Sequence, residues 1–385
     1  MTADPNIEGG PPLVLTAVGM TTALGPDAVS SCAAERAGLS RAAPLEDRFG
    51  WNPDEAEAVP LSGHCVRDRT AGFEGVGRLL RLGTAALDDL LTRAPELATD
   101  RGLGLVVAAP GGAYLRQAVL RQLSPDAAPG KEARDLAEAV VERHRGAVES
   151  GLVGGLVHGS GLAGVDHAQL VLGEGAAFAF ALREAAAALH SGRVDRCLVG
   201  GVDSLVGNDA LDSLVHLDLP KSPENPVGFL PGEAAAFLLL ERAEASEKSA
   251  LAQLGAAVAA DGGDERFGEK PPDGRTLGRV VSAAASGPPP PDVLIGNLNG
   301  DIWHSQEWGT AVPGLPRELV DLPLWLPAVS FGEVGAATGA VGSCVAQHAF
   351  ARGRGGVRSA LVWSSGDDGA KGAVRWIRPD AEVGT

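Results

Sequence analysis

Clusters of lysine and arginine are missing from this 385-residue chain, which carries 32 basic residues against 49 acidic ones and a formal charge of −17. Nucleic acids and anionic membrane surfaces reward basic clusters, so neither is expected as a partner. Cysteine is scarce as well. Cys32, Cys65, Cys197 and Cys344 lie far apart with no CxxC pair, which argues against a disulfide framework or a structural zinc site. Cys197 and Cys344 fall inside strand-like and helix-like patterns, where a small buried hydrophobe is the expected role. No uninterrupted apolar run reaches membrane length. The N-terminal MTADPNIEGGPP has neither the basic region nor the apolar run of a secretory signal. These absences lead to an expectation of a soluble, cytoplasmic protein without metal, nucleotide or other cofactor.

What is present is core-forming material: 45% of the residues are hydrophobic, enough for two domains or one duplicated α/β domain. Residues 1–12 read as a flexible leader. LVLTAVGMTTALG (13–25) reads as a buried strand, followed by a helix with Pro26 near its start. Residues 40–75 read as irregular, with Pro44, Pro53 and Pro60. A helix over 77–94, a strand over 102–112 and a charged amphipathic helix over 130–150 come next. HAQLVL, an Ala-rich helix apolar almost all round, and RCLVGGVDSL then give strand, helix and strand (167–205). GFLPGEAAAFLLLER (228–242) reads as a turn and a strand. After a polar link, strands are expected at 252–260, 293–299 and 323–330, helices at 275–286 and 336–352, and a strand pair at 359–365 and 372–378. The alternation predicts an α/β layered protein of two rhythmically similar stretches, 13–245 and 250–380.

Three segments carry a resemblance to a known family. LTAVGMTTALG, the run ending SGRVDRCLVGGVDSL, and GFLPGEAAAFLLLER resemble the first strand, the nucleophile helix with its following strand, and the glycine-rich segment of β-ketoacyl-acyl-carrier-protein synthases. The resemblance implies a thiolase-like αβαβα five-layer fold of two similar halves, usually a homodimer that pairs through strand 167–172. Such enzymes attack an acyl thioester with a cysteine and use two histidines in decarboxylation and oxyanion stabilisation. The motif positions of this chain differ at all three places: Gly175 stands at the cysteine, Asn299 at the first histidine and Glu333 at the second. The resemblance therefore implies no catalytic residue by the family mechanism. NLNGD, GEVGAATG and SGDDG are further similar to degenerate synthase-like proteins, some encoded beside type VI secretion genes. That implies a binding or adaptor component, with a secretion effector, a spike protein or an acyl carrier protein as partner. Two alternatives stay open. One is a ketosynthase-class acyltransferase or decarboxylase with altered chemistry; the other is a non-catalytic chain-length-factor-like subunit of a heterodimer.

Glu174, Phe229, Asn299, Asp301, Glu333, Asp367 and Asp368 come from loops that such a fold brings towards one pocket. They read either as a repurposed polar site for a cation or an amine, or as ordinary caps and turn residues. Glu333 in particular suits the cap of the helix that follows it. His304 reaches the same pocket if its loop folds back. Gly173 and Gly175 mimic half a dinucleotide fingerprint, but Phe178 stands where a third glycine would be needed, so nucleotide binding is not expected.

Overall fold

A computed structural model describes residues 10–125 and 128–379. The leader expected over 1–12 falls largely outside them, although Pro11 and Pro12 accept hydrogen bonds from His190 and from the Ala243 N–H. Ten strands form one sheet: β1 (Leu13–Thr22), β4 (Leu103–Pro110), β5 (Val165–Gly173), β6 (Arg196–Ser204), β7 (Glu233–Arg242), β8 (Ala252–Ala260), β9 (Val293–Gly296), β10 (Leu324–Trp325), β11 (Ser359–Ser365) and β12 (Lys371–Ile377). A separate hairpin pairs β2 (Ala43–Asn52) with β3 (Glu57–Gly63).

The sheet runs β10-β9-β11-β12-β8-β1-β7-β6-β4-β5, and this order hides a repeat. Numbered within themselves, the five strands before residue 245 and the five after 250 both run 3-2-4-5-1. The first two pairings of each set are parallel and the last two antiparallel. The sets meet only where Val14 and Leu15 pair with Gln253 and Ala252.

Burial separates five layers. Helices Ala177–His190 and Thr338–Ala351 lie in the middle and share one core with inward side chains of both strand sets. Helices Gly75–Leu91 and Lys131–Gly159 cover the outer face of one set. Helices Arg275–Ala285 and Ile302–Ala311 cover the other, where Trp308 stacks on Trp363 of β11 with ring centroids 4.4 Å apart. Covering both faces explains why β1, β4 and β7 read as continuous apolar runs rather than alternating ones. The fold is the expected αβαβα arrangement. Among the described residues no helix is long and apolar enough to cross a membrane.

Several local readings differ from the structure. Residues 40–75 contain the β2–β3 hairpin; Pro44 and Pro60 are tolerated because each strand of a two-stranded ribbon has a free edge. The strand expected over 323–330 shrinks to Leu324–Trp325. Pro327 lacks an N–H and has a helical φ of −56°, and it opens the short helix Ala328–Phe331 instead. Helices Ala113–Leu123, Asn208–His216 and Ile302–Ala311 were not anticipated.

Candidate functional site

The loops after β9 and β11 meet at one place. Asn297, just past β9, binds the backbone of Ser365 twice: its Nδ2 donates to the Ser365 carbonyl at 2.8 Å and its Oδ1 accepts from the Ser365 N–H at 3.1 Å. Ser365 is also held through its side chain. Its Oγ donates to Glu307 Oε2 at 2.5 Å and accepts from Lys371 Nζ at 2.8 Å, while Lys371 pairs with Glu307 Oε1 at 2.9 Å. Lys371 and Glu307 are both wholly buried. This pair fixes the turn that carries Asp367 and Asp368.

Gly175 packs against that fixed point. A β-carbon there would stand 2.8 Å from the Ser365 carbonyl oxygen and 3.2 Å from Asn297 Nδ2. The nearer atom is backbone and is held from several directions, so it cannot swing aside as a flexible side-chain tip would. Gly175→Ala is expected to lower stability by ~1–3 kcal/mol through overpacking, measured by urea denaturation. A neutral substitution would show that this corner yields.

Asn299 and Glu333 face each other. Asn299 Nδ2 donates to Glu333 Oε2 at 2.7 Å. Glu333 Oε1 accepts from the Gly335 N–H at 2.9 Å and from Thr338 Oγ1 at 3.2 Å. The carboxylate therefore caps the tight turn Gly335–Ala337 that leads into the central helix Thr338–Ala351. Gly335 has φ +49°, and a side chain there would collide with Asp203, so glycine is required. Burial raises the Glu333 pKa, while His304 and the donors from Asn299 and Gly335 oppose the rise.

Asn299 Oδ1 also accepts from the Asp301 N–H at 3.0 Å, which joins the pair to a second group. Asp301 is the N-cap of helix Ile302–Ala311, accepting from the Trp303 N–H at 2.7 Å. Arg266 grips it through two bonds of 2.8 and 2.6 Å. Next to Arg266 lies Asp367, which accepts from the Tyr114 hydroxyl at 2.7 Å and pairs with His304 Nε2 at 3.1 Å. Burial would raise the Asp367 pKa, but His304, Arg266 and the Tyr114 hydroxyl hold it well below the ordinary carboxylate range. Burial would conversely lower the His304 pKa, yet Asp367 and the other nearby carboxylates raise it. His304 Nδ1 is buried without a hydrogen-bond partner among the described residues.

Asn299, Asp301, Glu333 and Asp367 thus belong to one network, together with Arg266, His304 and Tyr114. Glu174 is buried close by, but its Oε1 is taken by the Ala113 N–H at 3.0 Å rather than by the network. Asp368 is exposed and closes its own turn by accepting from the Ala370 N–H at 3.1 Å. Phe229 is a core residue, buried with Tyr114, Leu205 and Leu214. The site holds little free space. The void beside Glu333, lined by Asn297, Phe331 and Thr338, is about 20 Å³, room for one water. None of the four thiols is primed for attack: burial pushes Cys197 up to about 12, raises Cys32 and Cys344 well above the usual range, and together with Glu233 raises the half-buried Cys65 against the pull of Arg78 and Arg67.

No family model matches the chain, and no curated protein matches it. Solved structures do. A type II polyketide synthase acyl-carrier protein in complex with its ketosynthase, bound to the hexaketide, aligns with TM-score 0.71 at 15% identity, covering 97% of this chain and 100% of that one. The fold is that of ketosynthases and chain-length factors. The ishigamide ketosynthase/chain-length factor aligns with TM-score 0.63 at 20% identity, covering 96% and 99% of the two chains. An oxazolomycin ketosynthase domain of Streptomyces albus JA3453 gives 0.69 at 16%, covering 97% and 75%.

Sequence reasoning reached four members of the network and placed His304 near it. Arg266, Tyr114, Glu307 and Lys371 were missed. Their partners lie far off in sequence, Tyr114 and Asp367 being 253 residues apart. Asp203 was missed too, although an acid ending the apolar run of β6 was a usable signal.

Proposed function

We propose that this ketosynthase-fold chain does not condense acyl groups and acts as a binding component, built from the two stretches 13–245 and 250–380. The observation that carries this reading is the closed corner at Gly175. A cysteine at that position would need space that the Ser365 carbonyl and Asn297 occupy. Its neighbours add a second obstacle. Asn299 and Glu333 bond to each other and to a helix-leading turn, so their polar atoms are committed to structure rather than aimed at a thioester. A carboxylate within ~4 Å of a developing oxyanion repels it by about 4 kcal/mol at an effective dielectric of 20, roughly a thousandfold in rate. The expected result is that malonyl-loaded acyl carrier protein releases labelled CO₂ no faster with the protein than in buffer. Catalysed release would instead favour the altered-chemistry alternative.

As a binding component, the chain has a natural assembly surface. β5 is the edge strand of the ten-stranded sheet, and its apolar Leu170, Val171 and Leu172 are only half-buried. An open edge of this kind pairs readily with another strand. We expect a second copy to pair there about a two-fold axis, giving a dimer mass by light scattering at low micromolar concentration. A monomer would contradict this, and a stable complex with a separate synthase chain would point to the chain-length-factor role. The adaptor role in effector loading rests on the resemblance of NLNGD, GEVGAATG and SGDDG. Its test is whether the native complex contains a secretion effector or a spike protein.

A further inference from the structure

A cavity of about 460 Å³ with Glu174 in its lining lies between helices Gly75–Leu91, Ala113–Leu123, Lys131–Gly159 and Asn208–His216. That volume is within the range of small-molecule pockets, ~300–1,000 Å³. Its walls are apolar, with Val76, Leu79, Leu115, Val140, Val148 and Leu205 contributing. Of the four carboxyl groups in its lining, Glu74, Glu174, Asp203 and Asp209, the buried ones are Glu174 and Asp203, 3% and 1% exposed.

These carboxyls are not equally satisfied. Asp203 accepts from two backbone N–H groups, Ser204 at 2.7 Å and Ala336 at 2.9 Å. Glu174 uses only Oε1, on the Ala113 N–H; its Oε2 has no hydrogen-bond partner among the described residues. Neither carboxyl has an ion-pair partner there. Three basic side chains share the cavity wall: Arg78 is committed to Glu233 at 2.6 Å and to Glu74, while Arg143 and His144, on helix Lys131–Gly159, make no ion pair with Glu174 or Asp203. His304 and Arg266 are committed to Asp367 and Asp301. A mostly apolar chamber whose buried Glu174 is left unpaired by the basic residues of the wall is suited to a ligand that brings its own positive charge to that carboxyl.

We propose that this cavity binds a small molecule with an apolar body and a basic nitrogen, the ammonium group pairing with Glu174 Oε2 while the body fills the space between the helices. The proposal does not depend on whether the chain performs acyl chemistry. Burial and the neighbouring acids Asp203 and Asp368 favour the protonated form of Glu174 in the empty cavity. When an ammonium ion enters, the Glu174 carboxyl gives up its proton to solvent and becomes the counter-ion. The complex then holds one carboxylate and one ammonium, with one proton released per ligand bound.

The test uses n-octylamine, n-octanol and octanoate as probes in calorimetry with the full-length protein, repeated in buffers of different ionisation enthalpy. Octylamine is expected to bind at least tenfold more tightly than octanol, with about one proton released per ligand. Glu174→Gln keeps the bond from the Ala113 N–H and is expected to bring octylamine down to the octanol level, with no proton release and unchanged octanol binding. Should that variant fail to fold, Leu115→Trp provides the check, since filling the cavity is expected to abolish octylamine binding. The proposal is overturned if octanol or octanoate binds as well as octylamine, if no probe binds, or if octylamine binding survives either folded variant unchanged.

Discussion

Replacing Lys371 with methionine is expected to remove ~3–5 kcal/mol of stability, because it leaves Glu307 as an unpaired charge in a wholly buried position. The effect should exceed that of an ordinary surface ion pair many times over, since those contribute only ~0–1 kcal/mol. Three further bonds disappear with the ammonium, to Ser365 Oγ, the Asp264 carbonyl and the Gly366 carbonyl. The Asp367 turn loses its anchor as a result. Combining Lys371→Met with Glu307→Leu is expected to recover much of the loss, because the desolvation cost of both charges is then removed together. Urea denaturation of the two variants separates a paired charge from simple packing. A single variant as stable as the parent would mean that the pair does not organise this turn.

The second large effect is a pH dependence assigned to Asp203. Burial pushes its pKa from 3.8 up to about 7, although the Ala336 and Ser204 N–H groups pull the other way. The unfolded chain therefore loses this proton near pH 4, while the folded chain keeps it until about pH 7. Across that window the folded state binds more protons, so this group's contribution falls as pH rises and is fully favourable only below the unfolded value. At ~1.4 kcal/mol per unit the total is about 4 kcal/mol. Other groups have opposing slopes, notably His64, which burial lowers to about 4. The test is therefore a difference between proteins. Asp203→Asn is expected to gain about 4 kcal/mol relative to the parent between pH 4 and pH 8. Any fixed cost of the lost bond to Ala336 cancels in that difference. A gap between the two proteins that does not change with pH would show that Asp203 is ionised throughout.

These two groups also mark the limit of what could be read in advance. β1, β7 and the helix Ala177–His190 were legible because burial on every side writes itself into the chain as continuous apolar residues. The repeat was legible only as a shared strand–helix rhythm and through the family resemblance, since its detail resides in strand order and polarity, to which different side chains contribute the same backbone pattern. Pro44 and Pro60 looked like breakers and proved to be ribbon-edge residues. Within the site, Glu333 was legible by position and its capping role followed from the Ala/Gly helix after it. Lys371 and Glu307 were not, because a charged residue in a glycine-rich turn or an exposed-looking helix carries no local sign that the fold will bury it. Asp301 and Asp367 were placed in the pocket, but the Arg266 that binds the first and stands beside the second lies in a loop with no motif of its own.

The most direct test of the non-condensing reading is intact-mass measurement of the purified protein after incubation with acyl-loaded carrier protein, followed by peptide mapping. The account predicts an unchanged mass and no modified peptide around Gly175. A stoichiometric acyl adduct on Cys32, Cys65, Cys197 or Cys344, formed with turnover, would contradict it.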